Sequence, residues 1–341
     1  MAVFAEQGIA AGDPDPLVAS HDALTVRIKA PFKQIMKDRP DNKEGDVDGS
    51  FMFVDTDGSE FEFDIKIRTR GNNRRDPDIC PFAPLRLDFD KDDLDDTLFD
   101  KQNKLKLVTH CNNSRRVYEE YKQSVIREYL AYRVLNVLTD FSFNVRLLHI
   151  TYEYTDEDDK ELVTYAFLIE SKGRMGKRIG LEEQEMTAMS ITLLDQEYTN
   201  LTAVFQYLIG NMDWSPVLGA SGEVCCHNYS IFSADNQTYW SIPYDFDRTG
   251  WVEAAHVEPN PEHKRRSMRQ RKYRGFCYNN DFIPASLQKF RDKRADIEAV
   301  VAAQTELEKS HRNRLESYVE EFYKRLEKED KVIKSFEKNC R

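Results

Sequence analysis

Residues 210–250 read GNMDWSPVLGASGEVCCHNYSIFSADNQTYWSIPYDFDRTG. An apolar run just before this stretch predicts a helix, which ends shortly before Asp213. Asn228 then opens one strand of a predicted hairpin, and Asp245 and Asp247 close its other strand. The stretch therefore brings an acid, an amide and a pair of carboxylates to the ends of neighbouring elements.

These four residues suit phosphate chemistry around a divalent metal. Asp213 can orient a substrate hydroxyl and accept its proton, although an Asp here can also simply cap the next turn. Asn228 and Asp245 offer the neutral and anionic oxygens that suit Mg²⁺ with bridging phosphates. Asp247 would face the same side as Asp245 in a strand, and two such carboxylates repel unless a cation neutralises them. We predict a metal at this pair, with an ion pair to Arg248 as the alternative.

The first half of the chain predicts a sheet with one large helix inserted. The predicted strands, which alternate apolar and polar residues, are 24–35, 50–55, 61–70, 85–89, 104–109, 145–154 and 162–169. The large helix is predicted at 119–138, and the acidic run 90–100 predicts a solvated surface loop. The second half predicts mainly helices, at 201–211 and from about 285 to 338, around the hairpin at 228–245.

A lysine and a glutamate of the first half form a candidate pair at the phosphates. Lys106 lies mid-strand on the face opposite Leu105 and Leu107, and Glu128 follows on the large helix. A lysine that pairs with a helix glutamate while it contacts nucleotide phosphates is a known arrangement, so we predict this pair. Two unrelated surface residues are the alternative, and Arg86 on the neighbouring strand is a second candidate for the phosphate contact.

A loop and a strand end complete the predicted site. The loop that begins at Gly71 could lie over phosphates with its backbone N–H groups. It would be helped by one of four nearby arginines, which are Arg68, Arg70, Arg74 and Arg75. Residues 165–170 resemble a strand that runs into a hinge, where the backbone near Glu170 could meet an adenine ring. Any edge strand would look the same.

Composition limits the class of protein. The chain has 341 residues, 40% of them hydrophobic, with 16 Tyr and 20 Phe, which indicates a folded globular protein. The net charge of -11 argues against a nucleic-acid-binding role. Local basic clusters at 68–75 and 264–272 suit a phosphate or an acidic partner. No apolar run approaches the length of a membrane span.

Other metal and hydrolase sites have little support. The six cysteines form no Cys-x-x-Cys pair, and His227 follows Cys225 and Cys226 too closely for a zinc site, so we interpret it as structural. A Ser–His–Asp hydrolase is not indicated, because the chain has no Gly-x-Ser-x-Gly motif.

The cysteines and the N-terminus bear on location. We predict that Cys80 and Cys111 form a disulfide if the protein is exported, because each lies at the end of a predicted neighbouring strand. The N-terminal residues lack the features of a whole signal peptide but could be what remains after one was trimmed. We therefore expect an extracytoplasmic location, whether periplasmic, secreted or at the surface.

The ordered motifs resemble one family. They are IRTRGN (67–72), PLRLDF (84–89), LKLV (105–108), EYLAYR (128–133), GNMDW (210–214), HN (227–228) and PYDFD (243–247). Together they resemble the spore-coat-protein-H (CotH-like) family of secreted or envelope-associated atypical kinases, over roughly residues 60 to 250.

The resemblance implies an α+β, bilobal protein-kinase-like fold. An antiparallel-sheet N-lobe with one large helix would occupy 21–170 and a mainly helical C-lobe 171–341, after a loose lead-in at 1–20. The resemblance also implies ATP with Mg²⁺ or Mn²⁺, and transfer to Ser or Thr of a protein substrate. In that scheme Asp213 is the catalytic acid and Asp245 a metal ligand. A catalytically inactive binding module at the envelope or surface, and metal-dependent phosphoryl hydrolysis, are the alternatives.

Two departures from kinase patterns affect the geometry that we expect of the site. Asp213 and Asn228 are 15 residues apart, so the excursion 217–226 must fold away from the site. The phosphate loop contains a single glycine, Gly71. If the interpretation holds, Asp213, Asn228 and Asp245 should line one cleft, with Lys106 entering from the sheet side within reach of Glu128.

Overall fold

The seven strands of the first half bury alternate residues, and this pattern allows them to enclose a common interior. The computed structural model describes residues 15–39, 45–55, 57–71, 73–114, 117–219, 224–259 and 265–341. The first strands are β1 (Leu24–Ala30), β2 (Val47–Val54), β3 (Glu60–Thr69), β4 (Leu85–Phe89), β5 (Lys104–Val108), β6 (Val145–Tyr154) and β7 (Glu161–Ile169). Their inward side chains are almost all apolar, as in the fully buried Ile28, Phe51 and Leu87.

These strands close into a mixed seven-stranded barrel in the order β1-β2-β3-β4-β5-β7-β6. The closing pair is parallel, with Leu24 opposite Leu148 and Ala30 opposite Tyr154. Closure removes exposed strand edges and gives every inward apolar side chain a partner. The chain is therefore of the α+β class, but the predicted bilobal protein-kinase-like fold with an antiparallel-sheet N-lobe is wrong.

Two local predictions in the barrel also need correction. The strand predicted at 24–35 ends at Ala30, because Phe32 and Ile35 bury one face of a helix, α2 (Phe32–Asp38). The acidic run 90–100 is not wholly solvated, since Leu94 and Phe99 are fully buried. The Phe99 ring lies 5.1 Å from that of Phe51 in the barrel interior.

The large helix, α3 (Tyr118–Leu138), packs against the outer wall of the barrel at β6 and β7. Its Tyr132 ring lies 5.6 Å from Phe167 of the barrel and 4.6 Å from Phe246 of the second half. One hydrophobic core therefore joins the barrel wall, α3 and the second half. This packing holds the two parts of the chain on either side of α3.

The second half, which we call the helical half, also contains a three-stranded sheet. Its strands are β8 (Glu182–Gln184), β9 (Tyr229–Ser233) and β10 (Tyr239–Pro243), in the order β10-β9-β8. Its helices are α4 (Lys172–Ile179), α5 (Gln196–Ile209), α6 (Ile283–Asp292), α7 (Arg294–Ala302), α8 (Lys309–Leu326) and α9 (Glu329–Asn339). Residues 1–14 of the predicted lead-in at 1–20 lie outside the described part of the chain. The rest of the lead-in contains a short helix, α1 (Pro16–Ala19).

Disulfides link three pairs of cysteines. The predicted Cys80–Cys111 bridge is confirmed, with the two Cα atoms 4.7 Å apart. The other two pairs are Cys225–Cys226 and Cys277–Cys340. Such bridges are consistent with an extracellular location. Among the described helices, none has the length and apolar character needed to cross a membrane.

Candidate functional site

A cavity of about 380 Å³ lies between the barrel wall, α3 and the β9–β10 hairpin. This volume lies within the range of small-molecule sites, which is about 300 to 1,000 Å³. The predicted site residues that line it are Arg70, Lys106, Glu128, Asp213, Asn228, Asp245 and Asp247. The structure thus brings together residues that are far apart in the sequence, whereas Arg86 and Glu170 do not line this cavity.

Helix α5 delivers Asp213 to the cavity. Gly210 ends the helix with a φ of 67°, a left-handed conformation that glycine adopts at little cost. The side chain of Asn211 then accepts the backbone N–H of Asp213 at 2.8 Å. The left-handed conformation of Gly210 and the hydrogen bond to Asn211 turn the chain, so that Asp213 enters the cavity rather than extending the helix.

Three side chains surround the Asp213 carboxylate. His227 Nε2 lies 2.9 Å from Oδ1, and Arg248 Nε lies 3.5 Å from Oδ2. Asn228 donates through Nδ2 to the Asp213 carbonyl oxygen at 2.7 Å. We had interpreted His227 as structural; its position beside Asn228 in the sequence was the only signal that it belongs to the site.

A backbone hydrogen bond closes the base of the excursion between Asp213 and Asn228. The backbone N–H of Ser215 donates to the His227 carbonyl at 3.0 Å, so the excursion leaves and returns at neighbouring points. Residues 220–223 of the excursion lie outside the described part of the chain. The 15-residue spacing is therefore compatible with direct contact between Asp213 and Asn228.

Asn228 and Asp245 face each other at the base of the hairpin. Both have left-handed backbone conformations, with φ of 57° and 63°. The N–H of Tyr244 donates to the Asn228 carbonyl at 3.0 Å, and that of Asp245 donates to the Tyr132 hydroxyl at 2.8 Å. Burial and the charge of Asp247 raise the pKa of Asp245 to about 6. Asp245 is thus a half-buried carboxylate whose charged form a cation would stabilise.

Asp247 has Arg74 and His256 as partners. Its Oδ2 lies 3.7 Å from both Arg74 Nη1 and His256 Nε2. Burial alone would raise its pKa, but the hydrogen bond from His256 and the charge of Arg74 lower it. The predicted reason for a metal at Asp247 is therefore weakened. Strand β10 ends before Asp245, so the two carboxylates do not share a strand face, and Arg74 already lies beside Asp247 as a cation.

The predicted Lys106–Glu128 ion pair is wrong. Glu128 Oε2 instead lies 3.8 Å from Nη1 of Arg74, which is in the 3-10 turn Asn73–Arg75. Burial and the charge of Asp247 raise the pKa of Glu128 well above its usual value. Arg74 thus occupies the position between Glu128 and Asp247 that we had expected a lysine or a metal to take.

Lys106 and Arg70 are the cations on the barrel side of the cavity. Lys106 Nζ lies 5.4 Å from the centre of the Tyr244 ring. Burial and the charge of Arg70 lower the pKa of Lys106 to about 8, and burial also lowers the pKa of Arg70. Within the described ranges, neither cation forms an ion pair with a carboxylate. Both are therefore free to meet an anionic ligand.

Arg86 and Glu170 have structural partners instead of cavity positions. Arg86 lies 3.7 Å from Asp46 and 3.6 Å from Asp88 on the outside of the barrel. The Glu170 carboxylate pairs with Arg178 at 2.8 Å. The backbone N–H of Glu170, which we expected to meet an adenine, donates to the carbonyl of Asn144.

The residues present fit a metal at Asp245 only in part. Asn228 donates through Nδ2, which leaves its Oδ1 available as a ligand beside the Asp245 carboxylate. Among the described residues, the metal-ligating side chains that cluster in threes are Cys80, Cys111 and His256, and the two cysteines are joined in a disulfide. A cation at Asp245 would therefore need oxygens from a bound phosphate as further ligands.

A scan against protein-family models, a search of curated proteins and a search of solved structures each found no match.

Proposed function

We propose that this cavity binds ATP with Mg²⁺ or Mn²⁺ and that the protein transfers a phosphoryl group to a Ser or Thr hydroxyl of a protein substrate. One observation carries the proposal. The cavity has an acid, an amide and a carboxylate suited to a metal on its helical side, and on its barrel side two cations that pair with no carboxylate among the described residues. Phosphoryl transfer depends mainly on such positioning and charge stabilisation.

The two sides would have separate tasks. Lys106 and Arg70 would hold the phosphate oxygens, since they are the cavity cations without a carboxylate partner in the described chain. Asp245 and Asn228 would hold the metal, which neutralises charge on the phosphates when bound.

Asp213 would orient the acceptor hydroxyl and take its proton. Its Oδ1 already accepts a hydrogen bond from His227 Nε2 at 2.9 Å, which helps to orient the carboxylate relative to the cavity. The Asp213 side chain is partly exposed, so a proton that it takes can pass to solvent, and the carboxylate then returns to its starting state.

Nucleotide binding is tested by thermal unfolding with ATP and Mg²⁺ or Mn²⁺. A ligand that binds only the folded protein at a hundred times its Kd should stabilise it by about 2.7 kcal/mol. Asp245→Asn should remove most of this metal-dependent stabilisation but leave the unliganded protein at least as stable, because asparagine tolerates the left-handed backbone at this position and the repulsion with Asp247 is relieved. Asp64→Asn, at an exposed carboxylate on the barrel, is the matched control and should keep the full shift.

Transfer is tested with ATP labelled at its terminal phosphate. Asp213→Asn should keep nucleotide binding and lower transfer about 100- to 10,000-fold. If wild-type protein shows no thermal shift with millimolar nucleotide and metal, the proposal fails and the inactive binding module is favoured. Release of phosphate to water without labelled acceptor would instead indicate a hydrolase.

A further inference from the structure

The basic segment 265–274 lies along the end of helix α5. We expected the basic cluster at 264–272 to suit a phosphate or an acidic partner, but three arginines of the segment 265–274 donate to backbone carbonyls at the end of α5 or just beyond it. Arg271 Nε donates to Leu208 at 2.9 Å and Arg265 Nη1 to Gly210 at 3.0 Å, while Arg274 donates to Met212. The last carbonyls of a helix have no partner within it, and cations are favourable there. The segment therefore stabilises the chain that leads to Asp213.

Arg274 has the contacts nearest to Asp213. It donates to the carbonyl of the residue just before Asp213. Its guanidinium also lies 5.8 Å from the ring centre of Trp214, the residue just after Asp213. Arg274 itself does not line the cavity. It thus contacts both neighbours of Asp213 from outside the site.

A second arginine and a disulfide hold this arrangement in place. The guanidinium of Arg341 lies 4.9 Å from the Trp214 ring centre. The backbone N–H of Arg341 donates to the carbonyl of Gly275, next to Arg274, at 2.9 Å. The adjacent Cys340 is bonded to Cys277. Arg274 is therefore fixed by residues on its own segment and by the end of the described chain.

We propose that Arg274 is a positioning residue, which holds the peptide on both sides of Asp213 so that its carboxylate points into the cavity. The catalytic effect of Arg274 rests on the proposed function, whereas its positioning of Asp213 does not. Phosphoryl transfer is sensitive to such positioning, because a displacement of about 1 Å can cost about a hundredfold in rate.

The test compares three variants of the full chain. Arg274→Met removes the contacts, and Arg274→Lys keeps a charge that can still reach the Met212 carbonyl. Arg266→Met makes the same change at an exposed position of the same basic segment and is the control. Hydrogen–deuterium exchange of peptides covering 208–214 is measured alongside kcat, KM for ATP and the thermal shift with Mg-ATP.

We expect Arg274→Met to raise exchange in 208–214 and to lower kcat about ten- to a hundredfold, with KM for ATP within about twofold of wild type. Arg274→Lys should show smaller changes in both exchange and kcat than Arg274→Met, and Arg266→Met should match wild type. The positioning role would be overturned if Arg274→Met showed the same exchange in 208–214 as wild type, or if its exchange rose equally over the whole chain. A loss of Mg-ATP binding equal to the loss of kcat would also overturn it.

The two proposals can fail separately. If wild-type protein binds Mg-ATP but transfers nothing, the proposed function fails, while local exchange in 208–214 still decides whether Arg274 positions Asp213. If wild type transfers phosphate and Arg274→Met keeps full kcat, only the positioning role fails.

Discussion

Neighbouring charges give the carboxylates of the cavity different properties. Asp247 has its pKa lowered by His256 and Arg74, although burial opposes this. Burial and the charge of Asp247 raise the pKa of Asp245 to about 6. The cavity therefore holds one carboxylate with a lowered pKa and one with a raised pKa, and a further cation would stabilise the charged form of Asp245.

His110 provides a pH prediction at the scale of one residue. It is fully buried, its ring centre lies 4.7 Å from that of Phe82, and neither ring nitrogen has a hydrogen-bond partner among the described residues. Burial and the charge of Arg74 lower the pKa of His110 to about 3. Because the folded pKa lies below the unfolded value, this histidine contributes stability above about pH 6.5 that is lost as the pH falls.

We expect His110→Phe to remove this acid sensitivity. Between pH 7.5 and pH 5, wild type should lose about 2 kcal/mol of unfolding free energy through this residue, and the variant should not. At pH 7.5 the variant should be at least as stable, because a buried polar group without a partner is removed. Urea unfolding at both pH values is the measurement, with His149→Phe on β6 as control. An unchanged difference between the two pH values in His110→Phe would contradict the prediction.

At the scale of elements, the end of helix α5 joins fold and site. The helix begins at Asp195, whose side chain accepts the backbone N–H of Tyr198 at 2.8 Å. It ends at Gly210, where an added Cβ would lie 2.3 Å from the Tyr318 hydroxyl. The helix C-terminus, the arginine contacts and Asp213 therefore depend on one left-handed residue.

Gly210→Ala should destabilise the protein and disturb Asp213. The left-handed backbone alone costs a residue with a side chain about 1 to 2 kcal/mol, and the contact with Tyr318 adds to this. Gly173→Ala is the control, because Gly173 lies in helix α4 and an added Cβ meets no atom within 4 Å. That change should stabilise the helix by about 0.5 to 1 kcal/mol. Unfolding in guanidinium gives both values, and equal stability of the two variants would contradict the prediction.

At the scale of the whole molecule, the Cys80–Cys111 disulfide lies beside two residues that line the cavity, Arg74 and His256. It closes a loop of 31 residues, and the carbonyl of Thr109 in this loop accepts a hydrogen bond from Arg74 at 2.8 Å. Cys111 Sγ lies 3.9 Å from His256 Nδ1 of the helical half. Both cysteines are almost fully buried. The bridge thus lies where the barrel, the turn that carries Arg74 and the helical half meet.

Replacing both cysteines with alanine should lower the unfolding free energy by about 3 to 4 kcal/mol, the loop-closure value for this spacing. Because Thr109 of this loop accepts a hydrogen bond from Arg74, which lines the cavity, the variant should also bind Mg-ATP more weakly. Chemical denaturation of the purified variant measures the first effect and calorimetry the second. Cys277→Ala with Cys340→Ala is the comparison, and it should lose stability while retaining Mg-ATP binding. Undiminished stability of Cys80→Ala/Cys111→Ala would show that the loop is held by its other contacts.

Local patterns were sufficient for most elements. The strands predicted at 85–89 and 145–154 match β4 and β6, and the helix predicted at 119–138 matches α3 within one residue. The Cys80–Cys111 bridge followed from the same local placement of strands. These features depend on side-chain periodicity within one segment, which can be recognised without knowing what the segment packs against.

Tertiary structure alone decided the barrel and the partners within the site. Strand β1 pairs with β6 across more than a hundred residues, and no local pattern distinguishes this parallel closure from an open sheet. Glu128 pairs with Arg74 rather than Lys106, and Arg274 reaches Met212, because packing brings these segments together. The sequence by itself determined which residues carry charge and where elements begin; which charges meet was decided by barrel closure and by the docking of α3, since contact energies act through space and not along the chain.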